Sequence, residues 1–376
     1  MSESHIEDDC VVIDNGSHTI KAGYAANDAP LILFRTVTGA PLHQDKTNDG
    51  ESKKCYVGDE VINDMDALDI RRPIERGVVT DWDAMERIWD FTFKSLDATP
   101  SDKNVLLTDL QMNPKWNREK MAQVMFEKFQ PQGMFVFSPN VLSHYANGRV
   151  SALLLESGFE VTSVVCIYEG RKIAQSMFRS DIGGNDVTHY LIELLGKRGY
   201  SFTTPKEIEE VRTMKETCAF VSLDPEAEKE DKIKKELTCS DGTTICLGNE
   251  RFQCMEAMFN PTLIGSSACG IHELILKSIE ACPIHVRADI YVNLILSGGN
   301  TKVAGLADRI DQELRKVLPT RFRKRVIAPP ERLYSSWIGG SIVSSLTTTQ
   351  NLCMRSADYE EFGPNVVYNP GFSVVW

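Results

Sequence analysis

A chain of 376 residues with 42% hydrophobic content is long enough for two or more domains, each with a sizeable core. Its 41 lysines and arginines against 53 aspartates and glutamates leave a formal charge of −12. That balance argues against wrapping nucleic acid or lying on an anionic membrane, and favours a basic protein surface as partner. The ten cysteines form no CxxC pair, and the opening Met1-Ser2-Glu3-Ser4-His5 has neither the basic nor the apolar region of a signal peptide, so free thiols in a reducing compartment are expected. No apolar run is long enough to insert in a membrane.

In chain order the periodicity alternates between strand and helix, the sign of α/β architecture. Strands are expected over 31–34, 105–107, 135–137, 152–155 and 164–168, and helices over 82–96, 117–129, 187–198, 208–223, 270–281 and 303–318. Asp81 can cap the first helix, while Asn113-Pro114 precedes the second and places Glu119 in its opening turn.

One idea appears twice. Cys10-Val11-Val12-Ile13-Asp14-Asn15-Gly16-Ser17 and Ala152-Leu153-Leu154-Leu155-Glu156-Ser157-Gly158 are apolar strands ending in an acid, a small polar residue and a glycine. Such a turn can aim backbone N–H groups at a phosphate, and Asp14 or Glu156 at its tip can hold a divalent cation through water. After each loop the chain runs on into further strand-like segments, in the second case around Glu169-Gly170, which suggests an internal duplication facing one cleft, with the seam near 137–148. A third signal, Leu294-Ile295-Leu296-Ser297-Gly298-Gly299-Asn300, breaks an apolar strand into a Gly-Gly turn that a base or phosphate can approach closely. Three such loops in this order are far more specific than any lone glycine motif.

The runs joining these loops resemble actin. They include Tyr56-Val57-Gly58-Asp59-Glu60, Gly199-Tyr200-Ser201-Phe202-Thr203-Thr204, Leu247-Gly248-Asn249-Glu250-Arg251-Phe252 and Ile327-Ala328-Pro329-Pro330-Glu331-Arg332, and the likeness holds over nearly the whole chain. The resemblance implies a duplicated α/β actin-like ATPase fold with two large domains flanking a nucleotide cleft. It places the first domain at 1–144, with a return near 335–376, and the second at 145–334. It also implies ATP or ADP held with Mg or Ca, and hydrolysis coupled to filament assembly.

Carried over residue by residue, the resemblance gives unequal halves. Asp14 stands at the cation-facing acid, Asn15, Gly16 and Ser17 at the phosphate turn, and Lys21 at the phosphate-pairing lysine. The second loop keeps Ser157 and Gly158 and has Glu156 for aspartate, but Phe159 replaces an acid expected at the ribose and Glu160 replaces a glycine. Glutamate there forfeits easy positive φ and adds a charge; two unit charges about 4 Å apart at an effective dielectric of about 20 repel by about 4 kcal/mol. Pro139 and Ser163 occupy the places of the water-positioning glutamine and histidine, and proline offers no side-chain donor or acceptor. Arg212, Lys215, Glu216, Gly298 and Gly299 match the adenine side, whereas Val303 and Leu333 replace a tyrosine and a lysine. Nucleotide binding is therefore expected weak or lost, and hydrolysis slow or absent.

For partners, the resemblance implies actin-family subunits or actin-binding proteins. Tyr145, Gly148, Ile342, Val343 and Leu346 align with the groove that takes an amphipathic helix. The segment 43–54, at the family's inserting loop, has no large apolar residue to bury, while Leu263 and Ile264 keep one lateral contact. The charge run 224–235 and the basic cluster from Arg315 to Arg325 read as solvated surface, and the tail 369–376 departs from actin's ending. The reading favoured is a cytoskeletal structural or filament-regulating protein of cytoplasm and cytoskeleton, with the nucleus as the other location. A polymerising actin with ATPase activity, or a scaffold subunit of a chromatin-remodelling or motor-adaptor complex, are the alternatives.

Overall fold

The computed structural model describes residues 10–42, 55–228, 233–240, 242–318 and 325–369. The expectations for 43–54, for the basic residues Arg321, Arg323 and Lys324, for the middle of the 224–235 run and for the tail beyond Asn369 lie outside these. The chain is mixed α/β and divides into two compact units: one runs to Gly148 and takes up the chain again from Tyr334, the other is Arg149–Leu333.

In the first unit a six-stranded sheet runs in the order Met354–Arg355, Gly133–Phe137, Asn104–Thr108, Cys10–Asn15, Thr19–Tyr24, Ile32–Arg35. Cys10–Asn15 pairs parallel with Asn104–Thr108 and antiparallel with Thr19–Tyr24. The unbroken apolar run 10–13 follows from burial on both faces. Val11 and Ile13 pack with Met85, Trp89 and Met121, and Cys10 and Val12 pack with Leu106, Phe137 and Trp337 on the other side. Asp81 caps the Trp82–Ser95 helix, its carboxylate accepting the Ala84 N–H at 3.0 Å. On the opposite face the Ser335–Ser345 helix crosses Pro139–Asn147 closely, because a Cβ on Gly339 would overlap the Leu142 carbonyl.

Two expectations fail here. The helix expected over 117–129 is an α-helix over Lys115–Val124 that widens into a π-helical turn at Met125–Phe129. Glu119 lies beyond its first turn, and its carboxylate accepts the Tyr368 hydroxyl instead of serving the helix start.

The second unit repeats the plan. Its sheet runs Arg171–Lys172, Thr162–Tyr168, Ala152–Ser157, Asn293–Ser297, Arg325–Ile327, with Phe178–Ser180 also paired to Thr162–Tyr168. Ala152–Ser157 again has one antiparallel hairpin partner and one parallel partner. Leu153 and Leu155 enter the large core with Val187, Leu191, Met255 and Ile275, while Ala152 and Leu154 enter a smaller cluster with Val165 and Ile295. The turn Glu169-Gly170 has φ of +49° and +74°.

Helix bounds shift for local reasons. The helix expected over 208–223 is Pro205–Cys218: Thr204 accepts from the Glu207 N–H while the Glu207 carboxylate accepts the Thr204 N–H, so it starts early. It stops because Phe220 bridges to Ala304. The same bridge delays the helix expected over 303–318 to Leu306–Val317, behind Gly305 at φ +82° and tight against the Val221 carbonyl.

Candidate functional site

On the first unit, the hairpin register pairs Asp14 with Lys21, and the cross-strand pair becomes an ion pair of 2.9 Å. Both residues are buried. The other carboxylate oxygen of Asp14 accepts the Thr108 hydroxyl at 3.0 Å, and the Asn15 N–H donates to the same hydroxyl oxygen at 2.7 Å. Asn15 is held by its side chain as well: Nδ2 donates to the Thr108 carbonyl at 3.2 Å, and Trp89 Nε1 donates to Oδ1 at 3.1 Å. Gly16 has no room for a side chain, since a Cβ would stand 2.6 Å from the Thr19 carbonyl oxygen and 3.4 Å from Lys21 Nζ. Ser17 is half-buried, and its hydroxyl has no partner among the described residues.

Thr108 and Trp89, which hold Asp14 and Asn15 in place, were missed by sequence reasoning. So was Asp109 beside them, which accepts from Arg118 Nε at 2.5 Å and Asn113 Nδ2 at 2.7 Å. The available signal was a Thr-Asp step closing the apolar run Val105-Leu106-Leu107. Pro139 is buried at the first position of its helix and, having no donor or acceptor on its side chain, presents none to this polar strand end.

The second hairpin has the same spacing, pairing Ser157 with Thr162 as the first pairs Asn15 with Ile20. What fills it differs. Ser157 is fully buried: its hydroxyl bonds Thr162 Oγ1 at 2.8 Å and accepts from Asn300 Nδ2 at 2.9 Å, so it ties the loop to the Gly-Gly segment. The loop's carbonyls are taken by the next helix, Gly184 N–H donating to Gly158 O at 3.0 Å and Asn185 N–H to Phe159 O at 2.6 Å. Gly183 allows this approach, because a Cβ there would come within 2.6 Å of the Glu160 nitrogen. The helix Gly184–Gly196 thus spends the amides that would meet an anion on its own protein.

The positive φ expected at position 160 is absent: neither Gly158, Phe159 nor Glu160 adopts it. The loop closes through a ladder bond from Gly158 N–H to Val161 O at 2.9 Å, so glutamate is accommodated without backbone strain. Phe159 is half-buried, and the Arg212 guanidinium sits 4.7 Å from its ring centroid. Arg212 is buried and also donates to Glu209. Lys215, likewise buried, donates to the Gly184 carbonyl at 2.6 Å, and burial pushes its ammonium down to about 8. Glu216 is exposed. Gly298 has φ +89° and would overlap the Ser157 carbonyl if it carried a Cβ; Gly299 lies against Leu333, and Val303 packs on the core.

Glu156 and Ser163 face each other across the hairpin strands, and Glu156 is half-buried. Among the described residues no group of three or more His, Cys, Asp or Glu side chains is placed to ligate a metal directly. The residues of the first hairpin fit a phosphate with a water-bridged cation: an ammonium and a carboxylate side by side beneath a turn too tight for any Cβ. Those of the second do not fit a ribose and base, because Phe159 and Glu209 already occupy Arg212.

Away from the hairpins, Tyr145, Ile342 and Leu346 are each 40% exposed on the first unit, and Gly148, at φ +58°, has open space around it. Val343 departs from the expected groove: it is fully buried in the cluster of Val12, Leu142 and Trp337. Leu263, in the Pro261–Ile264 turn, is 42% exposed. No helix among the described residues is long and apolar enough to cross a membrane. A family model described as Actin matches residues 6–370 of the chain.

Proposed function

The chain belongs to the actin family, and from that premise we propose that it is a cytoskeletal structural or filament-regulating protein with slow or absent ATP hydrolysis. Its phosphate loop keeps the chemistry of an adenine-nucleotide site, and its second loop has turned inward. One observation carries this reading: the Arg212 guanidinium, which the family devotes to the adenosine side, is covered by the Phe159 ring at 4.7 Å and paired to Glu209. A nucleotide would have to displace that ring, worth about 0.5–2 kcal/mol as a cation–π contact before any apolar area is counted. Pro139 and Ser163 then leave no side chain of the family's kind to orient an attacking water.

Nucleotide binding, where it occurs, rests on Lys21, Gly16 and Ser17 for phosphate and on Asp14 for a hydrated divalent cation, with Ser157, Gly158, Lys215, Gly298 and Gly299 acting as scaffold. The bound group would supply a charge for Lys21 to meet, releasing Asp14 toward the cation's water shell. Partners dock through the exposed Tyr145, Ile342 and Leu346, a surface suited to an amphipathic helix of an actin-binding protein or another family subunit. The proposed location is cytoplasm and cytoskeleton.

Sedimentation in magnesium and ATP, with phosphate release followed in parallel, tests the proposal. The expected result is no self-assembly above background and turnover below that of skeletal actin. Brisk turnover coupled to pelleting would replace it with a polymerising ATPase.

A further inference from the structure

We propose that Cys166 and Cys282 form an oxidisable dithiol, a modification site whose substrate is a hydroperoxide. Both are free thiols in the second unit, Cys166 on the Thr162–Tyr168 strand and Cys282 just past the Ile271–Glu280 helix. They converge on one residue. Cys166 Sγ lies 3.2 Å from Ser278 Oγ and 3.7 Å from its carbonyl oxygen, and Cys282 Sγ donates to that same carbonyl at 3.4 Å. The proximity of the two thiols lowers Cys282 from its ordinary value and raises Cys166, burial adding to the rise. Arg287, whose Nε donates to the Cys282 carbonyl at 2.8 Å, adds positive charge on the Cys282 side. Cys282 is therefore the attacking sulfur and Cys166 the resolving one.

Access favours the same order. Both thiols are buried, Cys166 wholly within the sheet and Cys282 at 2% exposure, but Cys282 lies at the helix end beside Pro283 and Ile284, the latter 82% exposed, so local opening there uncovers it first. The Cys282 thiolate attacks one oxygen of the hydroperoxide; the O–O bond breaks, a sulfenic acid forms and the alkoxide takes up a proton as alcohol. Cys166 then loses its proton and attacks the Cys282 sulfur; the S–S bond forms, the S–O bond breaks and water leaves. Two thiols lose two electrons, and the hydroperoxide gains them. The bond would fasten the strand bearing Thr162, the anchor of the second hairpin, to the helix end.

Purified full-length protein, exposed to hydrogen peroxide near neutral pH and then denatured, alkylated without reductant and digested, provides the test. The expected result is a peptide pair joined through Cys166 and Cys282, several-fold above any other cross-link and separated by reductant. A Cys282→Ser variant should return Cys166 as the free thiol, and Cys166→Ala should halt Cys282 at a sulfenic acid captured by dimedone. The wild-type map decides on its own if either variant fails to fold. Full alkylation of both thiols at a peroxide level that oxidises the half-buried Cys269 would overturn the proposal. A 166–282 link formed only when oxidant follows denaturation would overturn it equally.

Discussion

The two acid–glycine hairpins share spacing and strand partners, yet one is built around charge and the other around an aromatic ring. In the first, Asp14 and Lys21 neutralise each other at 2.9 Å beneath a turn where Gly16 admits no Cβ. In the second, Phe159 covers Arg212, and the loop carbonyls are spent on the amides of Gly184 and Asn185. The two hairpins therefore share a backbone plan while differing in what fills the turn, an ion pair in one and an aromatic ring in the other.

The sharpest way to break this contrast is to remove a charge from the first hairpin. Lys21→Ala leaves Asp14 buried and unneutralised, and should lower unfolding free energy by about 3–5 kcal/mol in urea titration. The second hairpin has its own buried cation. Lys215 stands at about 8 against an ordinary 10.5, so between those values the unfolded chain holds a proton the native one has lost. Stability should rise with pH through that window by about 3 kcal/mol, a rise missing from Lys215→Met; an identical pH profile in the two proteins would count against the buried lysine. The glycines should differ in the same direction. Gly16→Ala is expected to cost about 1–3 kcal/mol. Gly158→Ala, where the Cβ meets only the Val161 oxygen at 3.6 Å, should stay within about 0.5 kcal/mol. Equal losses would mean that the two turns are constrained alike. Phe159→Leu, which keeps apolar bulk but gives up the Arg212 contact, should cost only about 0.5–1 kcal/mol by thermal melting.

How much of this was legible follows from sequence distance. The first hairpin could be read because its charged pair is cross-strand and local, Asp14 opposite Lys21. Thr108 and Trp89, which fix Asn15, arrive 93 and 74 residues later, where no periodicity links them. Phe159 and Glu160 were visible as departures, but the reading placed the damage in lost positive φ and an added charge, and the loop shows no positive φ at 158–160. The consequence lies in Arg212, which only the folded unit brings to the ring. Helix existence was legible from apolar spacing; the ends were not, since Phe220 and Ala304 bridge to each other and unwind a turn on both sides.

The central claim is that the Phe159 loop, and not a defect of the phosphate turn, closes this protein to nucleotide. Calorimetric titration with magnesium ATP of the parent and of Phe159→Asp/Glu160→Gly addresses it most directly. At least tenfold tighter binding by the double variant, about 1.4 kcal/mol, is expected. A parent chain already saturated with tightly held nucleotide, or a double variant with unchanged affinity, would contradict it.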